Sequence, residues 1–495
     1  MLVFFTRVPR SMSGGGPGPG TRMLLNCDLC IVGAGYAGLN AYNAAAKYLP
    51  NGARVIVIDR GARWGGQWPE TYGFVRLHQP HRMFTAGERR WSIHKPEAHL
   101  ATKGEILNHF DDIVSMATSE RDLELVELFR YQYEAPFRIE GDRVCLTALP
   151  LEGGAPAIEV NAARMIDASG FDVAVKRPLT FSAPPSRVHS LAPADLLSPR
   201  WTALMRYSAD ADKPIWVLGS GKTAMDAINH LAKHASTRRR LFCVAGRGSW
   251  FLNRECLFPM DWWEMHRPSL RTSTDHFIDM MELYDGKNEA EVYAAAERAG
   301  ALHSPLDAPT SFSFGMCSTA EVENVRATLQ PKVERVVRAH LVDVMPSDSD
   351  ESVLLHLQPT DGDESGRFVR EIPAGSFIVN CTDNLAPIDK VHPIIDESGL
   401  VCAPQALCCF SGPSADHVVH AWYLGTLGNM WKVMPRISFS LRDKHKVGLF
   451  GVLAHLRARS TRITDTPCRT CSIPFFLLVS LAFTCYFCSC SLTPW

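Results

Sequence analysis

The chain has 495 residues, enough for two or three domains of ordinary size, and 46% of them are hydrophobic, which predicts a substantial buried core. Its formal net charge is −1, so composition gives no electrostatic reason to expect binding to nucleic acid or to an acidic partner. The 15 cysteines are scattered and no secretory signal begins the chain, and we therefore expect reduced thiols in an intracellular protein.

The first segment, residues 1–23, is predicted to be a disordered leader. It contains a Gly/Pro/Ser-rich stretch, SMSGGGPGPG, and it has arginines but no acidic residue. A mitochondrial-type presequence is the alternative, although the segment lacks a convincing amphipathic pattern.

A β–α–β unit follows the leader. The apolar run Leu29–Val32 predicts a strand, Tyr36–Tyr48 predicts a helix, and Arg54–Ile58 predicts the next strand. The turn between the first strand and the helix reads GAGYAG. A single glycine-rich turn of this kind is weak evidence, because many strand–helix corners need glycine for backbone reasons alone.

Three glycines and an acid give this unit a specific chemistry. Gly33 permits the tight turn, Gly35 lets the backbone approach a pyrophosphate, and Gly38 lets the helix pack closely on the strand. The start of the helix offers free N–H groups and a partial positive charge to phosphates. Asp59, about twenty residues beyond the last glycine, can accept hydrogen bonds from both ribose hydroxyls of an adenosine. The unit therefore predicts a dinucleotide site.

The next region predicts antiparallel strands inserted into the parallel sheet. Residues 137–166 contain short alternating stretches that glycine and proline interrupt. They lead into IDASG, residues 166–170, whose small side chains let the chain pass close to a cofactor, although a simple strand-end turn has the same composition. Residues 176–199 are rich in proline and serine and are predicted to connect two domains.

A second β–α–β unit begins after this connection. Ile215–Leu218 predicts a strand, Thr223–His234 a helix and Leu241–Ala245 the returning strand. The turn reads GSGKT, which suggests a phosphate loop of nucleoside triphosphatases. That motif needs a glycine five residues before the Gly-Lys pair, and Trp216 occupies this place, so a triphosphatase is not expected.

The two units end in opposite charges. The first closes with Asp59, whereas the second closes with Arg247 and has no acid there. A guanidinium can bind a 2′-phosphate through charge-assisted hydrogen bonds that an acid would oppose. The second site is therefore predicted to prefer NADPH over NADH, and an ordinary surface arginine at a strand end is the alternative reading of Arg247.

The rest of the chain is less informative. Residues 262–342 are predicted to be irregular and helix-rich, and alternation then returns in SVLLHLQP and SFIVNCTDN. The second of these strands resembles the one that ends in IDASG, which fits a domain inserted within another.

The uncharged run at residues 473–490 has a length and position that suit a membrane tail anchor, with a buried final helix or a peripheral extension as alternatives. Four cysteines near this end have zinc-like spacing, but the second pair lies in the apolar run, so no metal site is expected.

The ordered set of motifs resembles the flavin-containing monooxygenase-like family, which includes Baeyer–Villiger and N-hydroxylating enzymes. The set is GAGYAG, GGQW at residues 65–68, IDASG, VHS at 188–190, GSGKTAMD and RGSWFLNR at 247–254, and the resemblance spans roughly residues 26–432. It implies an α/β fold with two Rossmann-like (βαβ, three-layer) dinucleotide-binding domains, the NADPH domain inserted in the FAD domain. We expect the FAD domain at 24–210 and 375–440, the NADPH domain at 211–374, and a C-terminal extension at 441–495.

The resemblance also implies the residues that contact each cofactor. Those expected at FAD are Gly33, Ala34, Gly35, Tyr36, Gly38, Asp59, Arg60, Gly66, Gln67 and Trp68. Those expected at NADPH are Gly219, Ser220, Gly221, Lys222, Thr223 and Arg247.

The chain departs from the family pattern at three places. His78 stands at or near the position of a common asparagine, where it either hydrogen-bonds the flavin or an oxygen intermediate as a catalytic residue, or packs as an ordinary histidine. Asp383 follows Thr382 where the family usually has glycine. The residues around His189 lack the Baeyer–Villiger signature.

By this resemblance the protein is expected to be an FAD- and NADPH-dependent monooxygenase that oxygenates a small lipophilic substrate with O2 through a flavin hydroperoxide. A flavin oxidoreductase without oxygen insertion and a non-catalytic nucleotide-binding or membrane-tethered scaffold are the alternatives. A disulfide reductase is disfavoured, because residues 61–104 contain no cysteine.

Overall fold

The computed structural model describes residues 23–424 apart from 88, 97, 170–175, 208, 258–272, 361–365, 383–393 and 405–411. The strands of the described residues, in chain order, are β1 (Met23–Val32), β2 (Arg54–Asp59), β3 (Glu124–Phe129), β4 (Tyr131–Glu140), β5 (Arg143–Pro150), β6 (Ile158–Asp167), β7 (Val188–Leu191), β8 (Ile215–Leu218), β9 (Leu241–Val244), β10 (Ser249–Asn253), β11 (Leu302–His303), β12 (Ser311–Cys317), β13 (Val336–Val337), β14 (Ala339–Pro346), β15 (Ser352–Pro359), β16 (Phe368–Pro373), β17 (Ser376–Asn380) and β18 (Val401–Cys402).

The α-helices of the same residues are α1 (Tyr36–Ala46), α2 (Lys103–Glu120), α3 (Pro199–Tyr207), α4 (Lys222–Leu231), α5 (Ala235–Arg238), α6 (Arg254–Leu257), α7 (Ser273–Leu283), α8 (Glu289–Arg298), α9 (Thr319–Thr328), α10 (Lys332–Arg335) and α11 (Gly412–Tyr423).

The first sheet has the strand order β3-β2-β1-β6-β5-β4, with β18 also paired to β6. Strands β3, β2, β1 and β6 run parallel, and Leu29 of β1 pairs with Val55 of β2. Strands β4 and β5 are antiparallel additions, as the alternating sequence predicts. Helices α1, α2 and α11 cover one face of this sheet and share its apolar core.

Helix α2 shows how local sequence sets these elements. Thr102 precedes the helix, and its hydroxyl accepts a hydrogen bond from the N–H of Glu105 (3.3 Å). The Glu105 carboxylate in turn accepts a bond from the Thr102 N–H (2.8 Å). This reciprocal capping box satisfies two N–H groups that the helix itself leaves unpaired, and the buried face of the helix then packs against the first sheet.

The second sheet repeats the plan of the first. Its order is β13-β9-β8-β17-β7, and every pair in it is parallel. Helices α4 and α9 contribute to the core on one face. The antiparallel sheet β14-β15-β16 covers the other face, so this domain has three layers. The α/β fold class with two Rossmann-like units is therefore confirmed.

The strands place the domain boundaries differently from the sequence expectation. Strand β17 was expected to open the return to the first domain at residue 375, but it pairs with β8 and β7 in the second sheet. Strand β7, expected within the first domain, also belongs to the second sheet. The physical reason is that each sheet needs a parallel strand beside its glycine-turn strand, and β17 fills for β8 the position that β6 fills for β1.

The chain does return to the first domain, but later. Strand β18 pairs with β6, with Val401 opposite Met165. Helix α11 then packs on α1, where Tyr48 and Tyr423 stack with ring centroids 4.9 Å apart. The insertion of one dinucleotide domain within the other is therefore confirmed.

Several sequence predictions concern the two ends of the chain, outside the residues that the structure describes. The predicted leader, the apolar run at 473–490 and the zinc-like cysteines near it lie outside the described residues. Within the described ranges, no helix combines the length and apolar character that a bilayer span requires. The described cysteines are free thiols, and most of them are buried.

Candidate dinucleotide-binding sites

The first glycine turn leaves no room for side chains against the sheet. Gly33 has a φ of +100°, and a Cβ there would lie 2.9 Å from the carbonyl carbon of Ala168, at the end of β6. A Cβ on Gly38 would lie only 1.9 Å from the carbonyl oxygen of Gly33. Both distances are shorter than real Cβ contacts, so the turn requires glycine at both positions.

Helix α1 starts directly at this turn without a side-chain cap. Gly35 is its N-cap residue and offers no side-chain hydrogen bond, so the first N–H groups of the helix are left for another acceptor. Such a terminus stabilises a phosphate through its N–H groups and its dipole. The N–H groups at Gly35 and Tyr36 therefore suit the pyrophosphate of a dinucleotide, whereas the N–H of Ala34 donates to Asp59. The contact of these residues with a cofactor stays a prediction.

Asp59 ends β2 beside the turn. One of its carboxylate oxygens accepts a hydrogen bond from the N–H of Ala34 (2.6 Å) and the other from the N–H of Gly61 (2.6 Å). These two bonds fix the carboxylate next to the glycine turn, and each oxygen keeps lone-pair capacity for a ribose hydroxyl. The neighbouring Arg60 is exposed.

The GGQW segment lies across the first turn. The N–H of Gly65 donates to the carbonyl of Ala34 (2.9 Å), and Gly66 has a φ of +55° with its Cβ position 2.8 Å from the Cα of Gly35. Gln67 is exposed and Trp68 is half-buried. The structure therefore brings the predicted FAD residues of both segments together.

An aromatic cluster stands next to these residues. The ring of Tyr36 stacks on Phe84 with centroids 3.7 Å apart, and Trp68 meets the same Phe84 edge-on at 5.8 Å. The Tyr36 hydroxyl donates to the carbonyl of Thr85 (2.9 Å), and burial raises the pKa of this phenol. Phe84 and Thr85 were not predicted, and since they follow no motif, only the packing reveals them.

The second glycine turn reproduces the first. Gly219 has a φ of +103°, and its Cβ position is 3.1 Å from the carbonyl oxygen of Cys381, at the end of β17. Gly221 is the N-cap of α4 and offers no side-chain bond, and no atom of the part of the chain that the structure describes lies within 4 Å of its Cβ position. The Ser220 hydroxyl lies 3.3 Å from that of Ser249. A phosphate fits this turn for the same reasons as at the first.

Lys222 and Thr223 begin α4, so their backbone N–H groups face the same position as the turn. The side chain of Lys222 has a different use, because its ammonium pairs with the carboxylates of Asp226 and Glu321. The expected contact of Lys222 with NADPH is thus restricted to its backbone. The sequence offered one signal of this pairing, since Asp226 lies four residues further on the same helix.

Arg247 follows β9 and is exposed, and none of the described side chains bonds its guanidinium. A second arginine that the sequence analysis missed lies beside it: Arg338 donates from Nη2 to the carbonyl of Arg247 (2.5 Å). His340 is also near, 3.3 Å from the Cβ position of Gly246. Because β13 runs parallel to β9, the residues after both strands meet at one sheet edge, and this pairing is what the sequence did not show.

His78 lies next to the second domain. Its carbonyl accepts a hydrogen bond from Nε of Arg254 (2.6 Å). Burial, together with the positive charges of Lys222 and Arg254, lowers the pKa of His78 to about 3. The imidazole is therefore neutral at physiological pH, able to exchange single hydrogen bonds but unable to act as a cationic acid.

Comparisons with known proteins agree with this architecture. A family model described as an NAD(P)-binding Rossmann-like domain matches residues 31–92, which hold the first turn, Asp59 and GGQW. Uncharacterized proteins of Mycobacterium bovis and Mycobacterium tuberculosis are 26% identical over 432 residues, covering 82% of this chain and 70% of each relative. The Rossmann-like fold predicted for the first unit is thus confirmed.

Solved monooxygenases and a disulfide reductase are among the structures to which the chain is similar. A flavin-containing monooxygenase from Stenotrophomonas maltophilia is 15% identical with a TM-score of 0.41, over 82% of this chain and 99% of that one. A cyclohexanone monooxygenase is 14% identical with a TM-score of 0.48, over 83% and 85%. A bacillithiol disulfide reductase from Bacillus cereus is 12% identical with a TM-score of 0.41, over 82% and 100%.

Proposed function

We propose that the protein is an FAD-dependent, NADPH-using monooxygenase that inserts one oxygen atom of O2 into a small lipophilic substrate. The observation that carries the proposal is that the same backbone arrangement, a glycine turn before a helix, occurs in both sheets of the chain. We call each of these two arrangements a cofactor cradle. In each sheet a left-handed glycine packs against the end of a parallel neighbour strand, and a helix without a side-chain cap begins three residues later. Two such sites in one protein suit the transfer of electrons between two dinucleotides.

The charges at the two sites support the assignment of the cofactors. Asp59 is fixed at the first turn, where it suits an adenosine ribose with free hydroxyls. Arg247 and Arg338 lie at the equivalent edge of the second sheet, where they suit a 2′-phosphate. We therefore place FAD at the first site and NADPH at the second.

FAD, when bound, supplies the redox chemistry by accepting a hydride from NADPH and passing electrons to O2. The protein's own contribution is to bind, orient and exclude water. The turn residues and the first N–H groups of α1 and α4 would hold the two pyrophosphates. Tyr36, Phe84 and Trp68 form an apolar wall beside the first turn, which keeps water from the cofactor. His78, held neutral, offers a single hydrogen bond to a reacting group.

The experiment that tests oxygen insertion follows the fate of labelled O2. Purified protein is supplied with FAD, NADPH, ¹⁸O2 and a panel of lipophilic amines, sulfides and ketones. The proposal predicts labelled product from at least one substrate class, with less peroxide released per NADPH in its presence. NADPH consumption that yields one peroxide per NADPH with every substrate would instead identify an oxidoreductase without oxygen insertion.

A further inference from the structure

Four charged side chains form a buried group at the junction of the two domains. Lys222 pairs with Asp226 and, at 3.3 Å, with Glu321. The Nη1 atom of Arg254 lies 2.8 Å from the other oxygen of Glu321. We call these four residues the junction cluster, and it contains two cations and two anions.

Because the charged groups of the junction cluster are largely buried, each of them needs its partner of opposite charge. The side chains of Lys222, Arg254 and Asp226 are only 10%, 11% and 12% exposed, and that of Glu321 is 27% exposed. Although burial alone opposes both charges, Asp226 and Glu321 raise the pKa of Lys222, and Lys222 and Arg254 hold the pKa of Glu321 at about 2. Removing one charge would leave an opposite one buried without its partner, which is strongly unfavourable.

The junction cluster binds a segment of the first domain. We call residues 72–78 the docking segment. The Tyr72 hydroxyl donates to the carboxylate of Asp226 (2.9 Å), and Arg254 donates from Nε to the carbonyl of His78 (2.6 Å). Between these two bonds, Phe74 stacks on His230 of α4 with ring centroids 4.4 Å apart.

The docking segment connects the two cofactor turns. It follows GGQW, which packs on the first glycine turn through Gly65 and Gly66. It docks on α4, the helix that follows the second glycine turn, through Asp226 and His230. A short stretch of chain therefore links the first glycine turn to the helix of the second, and the junction cluster holds its far end.

We propose that the junction cluster is a positioning device that fixes the docking segment on α4 and thereby sets the approach of nicotinamide to flavin. Lys222, Asp226, Arg254 and Glu321 act through Tyr72 and His78 and not by contact with either cofactor ring. The proposal rests on the proposed function, because it concerns the transfer of hydride between the two sites. Such transfer depends steeply on the distance and orientation of the reacting atoms.

The test uses Glu321→Gln, which keeps the helix cap of α9 but removes one charge of the junction cluster. Glu323→Gln is the matched control, since Glu323 is an exposed glutamate on the same helix. Tyr72→Phe removes the hydroxyl that bonds Asp226 and Thr223 without changing a charge, and it serves if the charge variant fails to fold.

The first measurement is hydrogen–deuterium exchange of the protein without added cofactors. We expect the docking segment to exchange faster in Glu321→Gln and in Tyr72→Phe, and to be unchanged in Glu323→Gln. Equal protection of residues 72–78 in every variant would overturn the proposal. This result stands whether or not the protein binds FAD, so it separates failure of this inference from failure of the proposed function.

The second measurement is anaerobic reduction of the FAD-loaded protein. We expect NADPH to reduce the flavin of Glu321→Gln about tenfold more slowly or worse, with the dissociation constant of NADPH changed by less than about twofold. Reduction by dithionite, which needs no nicotinamide, should be the same as in the unmodified protein. An unchanged NADPH reduction rate, or a slower rate with both reductants, would refute the positioning role.

Discussion

Arg247 and Arg338 are the residues by which we propose that the second site distinguishes NADPH from NADH. Arg247 is exposed at the end of β9, and Arg338 holds its carbonyl through Nη2. A guanidinium that contacts a 2′-phosphate forms charge-assisted hydrogen bonds worth about 1.5–3 kcal/mol each. NADH has no such phosphate, so its binding should depend little on either arginine.

We therefore predict that Arg247→Ala weakens NADPH binding by roughly 10- to 100-fold while changing NADH binding by less than about threefold. Titration calorimetry with both coenzymes measures the difference directly. Arg298→Ala, which removes an exposed arginine from α8, is the control and should affect neither coenzyme. Equal losses for NADPH and NADH would show that Arg247 does not contact the 2′-phosphate.

Lys222 marks the limit of prediction at the residue scale. The sequence GSGKT gives the backbone of a phosphate-binding turn, and the structure agrees with that part. The destination of the lysine side chain depends on Glu321, which is about a hundred residues away in sequence and reaches Lys222 only through the packing of α9 on α4. A local motif carries no information about such a partner.

At the scale of elements, β6 and β17 play the same part in different sheets. The N–H of Ala168 donates to the carbonyl of Val32 (2.8 Å), and the N–H of Cys381 donates to that of Leu218 (3.0 Å). As a result, the chain that leaves β6 passes directly over Gly33, and the chain that leaves β17 passes directly over Gly219. The sequence showed that IDASG and SFIVNCTDN are alike, but not which sheet each one joins, because strand pairing is a long-range property.

The open start of α4 leads to a prediction about Gly221. Its Cβ position has no atom of the described residues within 4 Å, so among these residues an alanine there has open space. We expect Gly221→Ala to leave the melting temperature nearly unchanged and to weaken NADPH binding at least about tenfold, since a methyl group would keep the pyrophosphate from the helix N-terminus.

Thermal unfolding and coenzyme titration of the same samples test this expectation. Gly104→Ala, which alters another glycine with open space around its Cβ position, should change neither property greatly. Unaltered NADPH affinity in Gly221→Ala would place the coenzyme elsewhere.

At the scale of the whole molecule, several histidines are neutral in the folded state. Burial lowers the pKa of His109 to about 4 and that of His230 to about 4, and His78 is lowered further to about 3. In the unfolded chain these groups titrate near pH 6.5. Between about pH 4 and 6.5 the unfolded chain therefore binds more protons than the folded one.

Because the unfolded chain binds more protons in this range, the contribution of these histidines to the free energy of unfolding should be constant above about pH 6.5 and should decrease as the pH is lowered toward 4. Melting temperatures at about pH 7, 6 and 5 should fall in that order. In His109→Gln the decline should be shallower, whereas His94→Gln, which alters an exposed histidine, should keep the full decline. An equal slope in all three proteins would exclude His109 as a source of the acid sensitivity.

The general plan of the molecule was accessible from sequence because it depends on local patterns. Glycine turns after apolar runs predicted both β–α–β units, with β2 and β8 nearly at the observed bounds. Strand β1, however, begins at Met23, six residues before the predicted start at Leu29. The junction cluster and Arg338 were not accessible, since Arg254, Glu321 and Arg338 come from separate segments that only the fold brings together. The predicted domain boundaries were wrong at β7 and β17 for the same reason, because the sequence of a strand does not show which sheet the strand joins.

We propose that one chain holds FAD and NADPH in two cradles and moves electrons from the second to the first. The most direct test is the visible spectrum of the purified protein, loaded with FAD under argon and then mixed with NADPH. We expect about one flavin bound per chain and rapid bleaching of its visible absorbance by NADPH, with slower bleaching by NADH. A protein that retains no flavin, or a bound flavin that NADPH leaves oxidised, would contradict it.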